Sequence, residues 1–182
     1  MPREHKEDPS DATYICDTDG YRLQRGCYYH VRLPGGDGRK MSIVAPQDKR
    51  YNYFGPLCFG PEHAALFSLH ENNEFWASDQ KARLNVQRAR GAEEHGISAS
   101  VDAIYWHYKR LGETLNGHRT SSGETIIWGD FMGGTLHLSE TPIVDTLFDE
   151  NYYPAVFTLS WDKEANARMG NFAVEFVYVG DM

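Results

Sequence analysis

The sequence predicts an all-β fold, and three observations support this prediction. Short alternations of apolar and polar residues recur along the chain, separated by clusters of glycine, proline, asparagine and aspartate, as in short strands joined by turns. Hydrophobic residues make up 41% and aromatic residues 13% of the 182 residues, which is enough for a folded core. Helix-favouring composition is confined to residues 77–92, where Ala82, Leu84 and Val86 alternate at period two as readily as they fit a helical stripe, and we expect a strand, or at most one short helix.

The first predicted element is a turn that leads into a strand. In residues 17–20, Asp-Thr-Asp-Gly, aspartate side chains can accept hydrogen bonds from nearby backbone amides, and Gly20 tolerates the positive φ of a tight turn. Residues 28–33 then alternate large apolar and polar groups until a glycine-rich segment at 34–38 ends the strand. Further strands are predicted at residues 41–44, 66–69, 104–111, 125–128, 135–138, 156–161 and 172–179.

Residues 17–38 resemble the opening of the Kunitz-type (soybean trypsin inhibitor-like) β-trefoil proteins. They contain Asp-Thr-Asp-Gly, a leucine, a glycine and Tyr-Tyr, followed by Leu-Pro and a glycine-rich turn. The resemblance implies a β-trefoil-like barrel and peptidase inhibition by the substrate-like insertion of an exposed loop. The family's four-cysteine framework is not carried over, because this chain has only Cys16, Cys27 and Cys58. A bridge between Cys16 and Cys27 across the predicted hairpin and a pair of reduced thiols are both compatible with the sequence.

Internal similarity favours a competing architecture. Residues 28–33 are echoed at 105–111, and residues 65–69 are echoed at 155–159 in the same order. A duplicated half-chain would favour a two-repeat β-sandwich or double β-sheet barrel. Nearly even spacing of related segments near residues 28, 67 and 105 suits a trefoil as well, and the trefoil is our first prediction. The two possible repeats are residues 13–92 and 98–182.

The chain is predicted to be a single domain over residues 13–182 that follows a disordered, polar arm at 1–12. The arm lacks the apolar centre of a secretory signal, which predicts a cytoplasmic protein, or a secreted one if a signal has been removed. The formal charge of −8 is spread along the chain and argues against nucleic acid or an anionic membrane as the partner. A peptidase or a carbohydrate is the predicted partner, and the sequence leaves the oligomeric state open.

The sequence contains no complete catalytic or metal-binding motif. Its eight histidines are scattered and no Cys-x-x-Cys pair occurs, so we predict neither a metal nor a cofactor and incline towards a protein that is not an enzyme. The first hypothesis is a peptidase inhibitor and the second a carbohydrate-binding lectin. The third hypothesis is a small barrel enzyme, or a small-molecule-binding protein with a cavity lined by aromatic rings and histidines. In it, His30 and His107, which recur beside aromatic residues, would form a general acid–base pair. The simpler interpretation is that both histidines form hydrogen bonds at strand edges.

Two segments contain the predicted binding residues. Residues 71–79 combine amides, carboxylates and aromatic rings that could recognise a sugar, or place an aromatic anchor in a protein partner. Residues 117–123 are predicted to form an exposed loop with a basic residue near its tip, the kind of segment that a peptidase inhibitor inserts. A core position for Phe75 and Trp76 is the alternative interpretation. The candidate binding residues are Asn72, Asn73, Phe75, Trp76, Asp79, His118 and Arg119.

Overall fold

The computed structural model describes residues 3–35, 39–43, 54–60, 64–99, 104–107, 112, 114–128, 134–138, 143–145, 150–159 and 173–182. Within these ranges the chain forms β-strands and no helix, which confirms the all-β prediction. No described segment has the helical length and apolar character that a membrane crossing requires. The strands are β1 (Cys27–Arg32), β2 (Lys40–Ile43), β3 (Phe54–Gly60), β4 (Leu66–Leu69), β5 (Lys81–Ala82), β6 (Leu84–Gln87), β7 (Glu94–Ala99), β8 (Ile104–His107), β9 (Leu115–Arg119), β10 (Thr125–Trp128), β11 (Gly134–Leu138), β12 (Ile143–Asp145), β13 (Glu150–Leu159) and β14 (Ala173–Asp181).

The strands pair antiparallel, and part of the sheet closes on itself. β1 pairs with β2 and β4, β2 with β3, β3 with β8, β8 with β7, β7 with β6, and β6 with β4. β14 lies along β1 from Cys27↔Asp181 to Arg32↔Glu175, and β10, β9 and β5 extend the sheet beyond β14. A closed ring of paired strands is the arrangement expected of a barrel. Because β1 pairs with β14 and β3 with β13, the pairing crosses between the two proposed repeats, whose common origin stays a prediction.

Aromatic side chains fill much of the core. Trp76, Tyr29, Phe59, Phe67 and Phe176 are the largest of the fully buried side chains. The rings of Tyr29 and Trp76 both meet Phe176 edge to face, with centroids 6.3 and 6.2 Å away. Such edge contacts stabilise aromatic pairs beyond the area that they bury. Strand alternation places Tyr29 and Phe176 inward, because every second residue is buried in β1 and in the first part of β14.

Residues 17–20 form the predicted turn. The amide of Gly20 donates to the carbonyl of Asp17 at 3.0 Å, and Gly20 has a φ of +87°. The Asp17 Oδ1 atom accepts from the amides of Asp19 and Tyr21 at 2.9 and 3.1 Å, which is the side-chain chemistry that the sequence predicted. The buried Asp17 side chain is therefore part of the backbone framework.

Residues 3–12 differ from the disordered arm that their polar composition predicted. Lys6 and Tyr21 form an antiparallel bridge, and the amide of Arg22 donates to the carbonyl of His5 at 2.9 Å. The arm therefore adds a strand-like segment beside the turn at residues 17–20. Composition could not reveal this, because the arm is held by backbone and charged contacts to a distant segment rather than by apolar burial of its own.

Arg3 provides several of these charged contacts. Its guanidinium lies between the rings of Tyr21 and Tyr178, 4.4 and 3.9 Å from their centroids, and Nη1 donates to Asp17 at 2.7 Å and to Asp19 at 3.1 Å. Burial raises the pKa of Asp17, while the hydrogen bond from Arg3 opposes the rise. Arg3 thus compensates the charge of a carboxylate that the fold has removed from water.

The three cysteines are buried free thiols, so the alternative of a bridge between Cys16 and Cys27 does not hold in this structure. Burial raises the pKa of both thiols to about 11, and it raises the pKa of Cys58 as well. Each thiol is therefore protonated at neutral pH and poorly nucleophilic.

Candidate functional site

The loop between β4 and β5 does not present its tryptophan. Trp76 is 1% exposed, and its Nε1 donates to the carbonyl of Gln80 at 2.9 Å. Gly117 of β9 lies against the ring so closely that an added Cβ would lie 2.5 Å from Cζ2. Trp76 therefore belongs to the core, as the alternative interpretation of this segment predicted.

The two asparagines of this loop have different roles. Asn72 is exposed, and its backbone amide donates to His70 Nδ1 at 3.2 Å. Asn73 is half-buried, and its Oδ1 accepts from the amide of Arg83 at 3.0 Å. Asn73 thus fixes the loop to the chain between β5 and β6, and Asn72 is the more available of the two for a ligand.

The structure brings together one residue from each predicted binding segment. Asp79 Oδ1 lies 2.9 Å from His118 Nδ1, and the two side chains are 66% and 44% exposed. Asp79 has a φ of +65°, the left-handed region that few non-glycine residues adopt, and its amide donates to the carbonyl of Gly117 at 2.7 Å. The pair joins the β4–β5 loop to β9, but a polar contact this exposed contributes little stability.

Arg119 is not at the tip of an exposed loop, which corrects the prediction for residues 117–123. It is the last residue of β9, is 6% exposed, and donates through Nη1 to the carbonyl of Asp11 at 2.5 Å. The exposed tip consists of Ser121, Ser122 and Gly123. The burial of β9 alternates, so Leu115, Gly117 and Arg119 face the interior and the basic side chain turns inward.

His30 and His107 lie on strands that do not pair with each other. β1 has β2, β4 and β14 as neighbours, whereas β8 has β3 and β7. His30 is half-buried, and burial, helped by the charge of Lys40, lowers its pKa. The side chain of His107 lies outside the described residues, and the acid–base hypothesis stays a prediction.

A basic loop joins β6 to β7, and sequence reasoning missed it. The strands pair from Asn85↔Gly96 to Gln87↔Glu94, so the loop comprises residues 88–93. Its sequence is Arg-Ala-Arg-Gly-Ala-Glu, and every residue except the half-buried Ala92 is exposed. The glycine of this loop lies between two alternating segments and was the available signal for a turn. It was overlooked because residues 77–92 were interpreted as one element.

Contacts from within and from neighbouring strands hold the 88–93 loop. The amide of Ala92 donates to the carbonyl of Ala89 at 3.1 Å, and Gln87 Nε2 donates to the carbonyl of Ala92 at 2.9 Å. Gly91 has a φ of +80°, which its lack of a side chain permits. The loop is a short, closed turn whose backbone carries its own hydrogen bonds.

The two arginines of this loop are in different environments. The Arg90 guanidinium lies 5.2 Å from the ring centroid of Tyr28, and Nη2 donates to the carbonyl of Asp181 at 2.9 Å. Arg88 is exposed and has no hydrogen bond or ion pair with any residue that the structure describes. Arg90 therefore anchors the loop to β1 and β14, and Arg88 is left available to a partner.

No protein-family model and no curated protein matches the sequence. Soybean trypsin inhibitor matches the structure with a TM-score of 0.52 at 12% identity, over 91% of this chain and 99% of that one. The water-soluble chlorophyll protein of Brassica oleracea var. Botrytis, with chlorophyll b, matches with a TM-score of 0.54 at 14% identity, over 92% and 99% of the two chains. The binding domain of botulinum neurotoxin DC, in complex with SialylT, matches with 0.60 at 9% identity. This chain spans 47% of that domain's length, and 92% of this chain is covered.

These matches show the fold. The chain has the β-trefoil-like barrel of the Kunitz-type soybean trypsin inhibitor-like proteins, and the resemblance is structural. The first architectural prediction is thereby confirmed over the two-repeat alternative. The neighbours include a trypsin inhibitor and the binding domain of a toxin, which are binding proteins of quite different kinds.

Proposed function

We propose that this protein is a peptidase inhibitor that acts through the exposed loop at residues 88–93. The observation that carries the proposal is Arg88, an exposed arginine without a partner among the described residues, on a loop that is held by hydrogen bonds of Ala92 and Arg90. The fold shared with soybean trypsin inhibitor, over 99% of that protein's length, supports it. The partner is a peptidase that cleaves after basic residues.

Arg88 suits the primary pocket of such a peptidase. A trypsin-like enzyme has an aspartate at the base of this pocket, and a guanidinium can satisfy it with two parallel hydrogen bonds. Arginine is also among the residues that most often dominate the binding energy of an interface. Arg90 is less suitable, because its guanidinium is already engaged with Tyr28 and Asp181.

The closed loop lowers the entropic cost of binding. The hydrogen bonds from Ala92 to Ala89 and from Gln87 to Ala92 hold the backbone beside Arg88 before any partner arrives. A segment that is ordered in the free protein loses little conformational entropy when it docks, and more of the contact energy is expressed as affinity. Rigid presentation is also the usual behaviour of peptidase inhibitors on binding.

Titration of a trypsin-like serine peptidase, inactivated by replacement of its nucleophile, tests the proposal. We expect stoichiometric binding by calorimetry, with Arg88→Lys retaining most of the affinity and Arg88→Gln losing about 100-fold, since the pocket aspartate would be left unpaired. Lys81→Gln, which removes an exposed positive charge from β5, is the matched control and should bind like the wild type. No binding to any peptidase specific for arginine or lysine, or equal binding by Arg88→Gln, would refute the proposal.

A further inference from the structure

A second part of the surface has the groups of a ligand site. A cavity of about 320 Å³, which we call the Phe75 pocket, shares no lining residue with the 88–93 loop. Its volume is at the lower end of small-molecule sites, the size of one small ring with its substituents. The pocket is lined by Glu4, His5, Gln24, Arg25, Glu74 and Phe75.

The backbone around the Phe75 pocket is already fixed. Gln24 and Phe75 form an antiparallel bridge, and the amide of Arg25 donates to the carbonyl of Glu74 at 2.9 Å. Arg25 Nη1 also donates to the carbonyl of Glu71 at 2.8 Å. The walls on both sides are therefore held together by hydrogen bonds, and a ligand would not have to order them.

The ring of Phe75 is held but not fully covered. It is half-buried and meets the rings of His5 and Tyr14 edge to face, with centroids 5.0 and 5.9 Å away. The Arg22 guanidinium lies 5.1 Å from its centroid. A ring in this position offers an apolar surface of fixed orientation within an otherwise polar cavity.

One polar atom of the pocket residues has an unmet hydrogen-bonding capacity. The Oε1 atom of Gln24 is buried and accepts no hydrogen bond from the residues that the structure describes. A buried acceptor left unpaired carries its full desolvation cost, and a turn of the Gln24 amide towards the cavity would let a ligand donor recover it. Hydroxyl groups can act as donors to Gln24 and to the two carboxylates, and as acceptors from Arg25.

We propose that the Phe75 pocket binds one neutral hexose unit of a carbohydrate. Glu4 and Glu74 accept from the sugar hydroxyls, Arg25 donates to them, and the apolar C–H face of the sugar ring packs on Phe75. Two carboxylates against one guanidinium disfavour an anionic ligand, and the excess of polar groups disfavours an apolar one. This activity is independent of the peptidase site at residues 88–93.

Titration of the isotope-labelled protein with the methyl glycosides of glucose, galactose, mannose and N-acetylglucosamine, followed by NMR, tests the proposal. We expect one of them to shift the amide signals of Gln24, Glu74 and Phe75 in a saturable way. Phe75→Leu keeps an apolar side chain without a ring and should raise Kd about tenfold. Glu74→Gln should raise it less, and Lys81→Gln and Arg88→Gln should leave it unchanged.

Two results would overturn the carbohydrate site. The first is that none of the four glycosides shifts the three amide signals. The second is that a glycoside binds saturably but Phe75→Leu and Glu74→Gln, with wild-type melting temperatures, bind it as tightly as the wild type does. Because Arg88→Gln affects only the peptidase partner, a failure here is distinguishable from a failure of peptidase inhibition.

Discussion

Two hairpin connections of this barrel each have an arginine close to the turn, and only one of these arginines is exposed to solvent. Arg119 ends β9 and is 6% exposed, with its guanidinium on the carbonyl of Asp11. Arg88 directly follows β6, is exposed, and has no partner in the described part of the chain. The difference arises from where the two ladders end, because Arg119 pairs with Thr125 within the β9–β10 ladder, whereas Arg88 lies one residue beyond the last β6–β7 pair, Gln87↔Glu94.

The end of the ladder separates a buried arginine from an exposed one. On β9 the inward positions are Leu115, Gly117 and Arg119, so the arginine closes the row that packs against Trp76. On β6 the inward residues end at Val86, Gln87 is half-buried, and Arg88 lies beyond the last pair of the ladder. A basic residue near a turn is thus a candidate for recognition when it lies beyond the last pair of its ladder, where the sheet no longer fixes the direction of its side chain.

The largest effect is expected from breaking the packing of β9. Gly117→Ala places a Cβ 2.5 Å from Trp76 Cζ2, which the buried ring cannot avoid without moving the strand. We expect a loss of about 3 kcal/mol in the free energy of unfolding, measured by urea denaturation. Ser122→Ala on the exposed tip is the control and should change it by less than about 0.5 kcal/mol. Equal stability of the two variants would mean that β9 does not pack on Trp76 as described.

The second effect concerns Arg119 itself. Arg119→Ala removes the donor to the carbonyl of Asp11 and leaves a cavity at a buried position, and we expect it to cost about 2 kcal/mol of stability. Peptidase affinity, measured at a temperature where the variant is folded, should be unchanged. A large loss of affinity with normal stability would reverse the roles assigned to the two arginines.

A smaller effect is expected from loosening the presented loop. Arg90→Ala removes the contacts to Tyr28 and to the Asp181 carbonyl without touching Arg88. We expect affinity for the peptidase to fall about fivefold, since the loop would have to be ordered on binding. Surface plasmon resonance would detect the change, and unaltered affinity would show that Arg90 does not help to hold the binding conformation.

The smallest expected effect tests whether an exposed arginine at any loop tip is enough for inhibition. Ser122→Arg adds an exposed arginine to the β9–β10 turn, which is closed by the hydrogen bond from Gly123 to Thr120 at 3.0 Å. In the Arg88→Gln background we expect inhibition to stay lost and stability to change by less than about 0.5 kcal/mol. Recovery of inhibition would mean that charge at any loop tip suffices.

Local pattern predicted many of the strands well. Residues 66–69 and 125–128 coincide with β4 and β10, because their alternation is bounded by turn residues on both sides. Residues 117–119 of β9 were predicted to belong to a loop, since Gly117 and His118 resemble turn residues until their pairing with β10 is known. The docked arm was missed for a related reason, because its partners are distant in sequence.

The candidate site was less predictable than the fold. Phe75 and Trp76 are neighbours with the same apolar character, yet one lines a pocket and the other is 1% exposed. The sequence also indicated Arg119 as a binding residue and did not single out Arg88, because local pattern does not show that Arg119 pairs within its ladder while Arg88 lies beyond the end of its own. Both distinctions depend on which strands pair, and such long-range pairing is only weakly encoded in local pattern.

Peptide mapping by mass spectrometry tests the central claim most directly. The protein would be incubated with a trace of active trypsin-like peptidase, because an inhibitor bound like a substrate exposes the bond after its anchoring residue to slow cleavage. We predict one slow cut, between Arg88 and Ala89, in a protein that is otherwise intact, and no such cut in Arg88→Gln. The account would be contradicted if the first cut followed a different arginine or lysine and if Arg88→Gln still inhibited the peptidase.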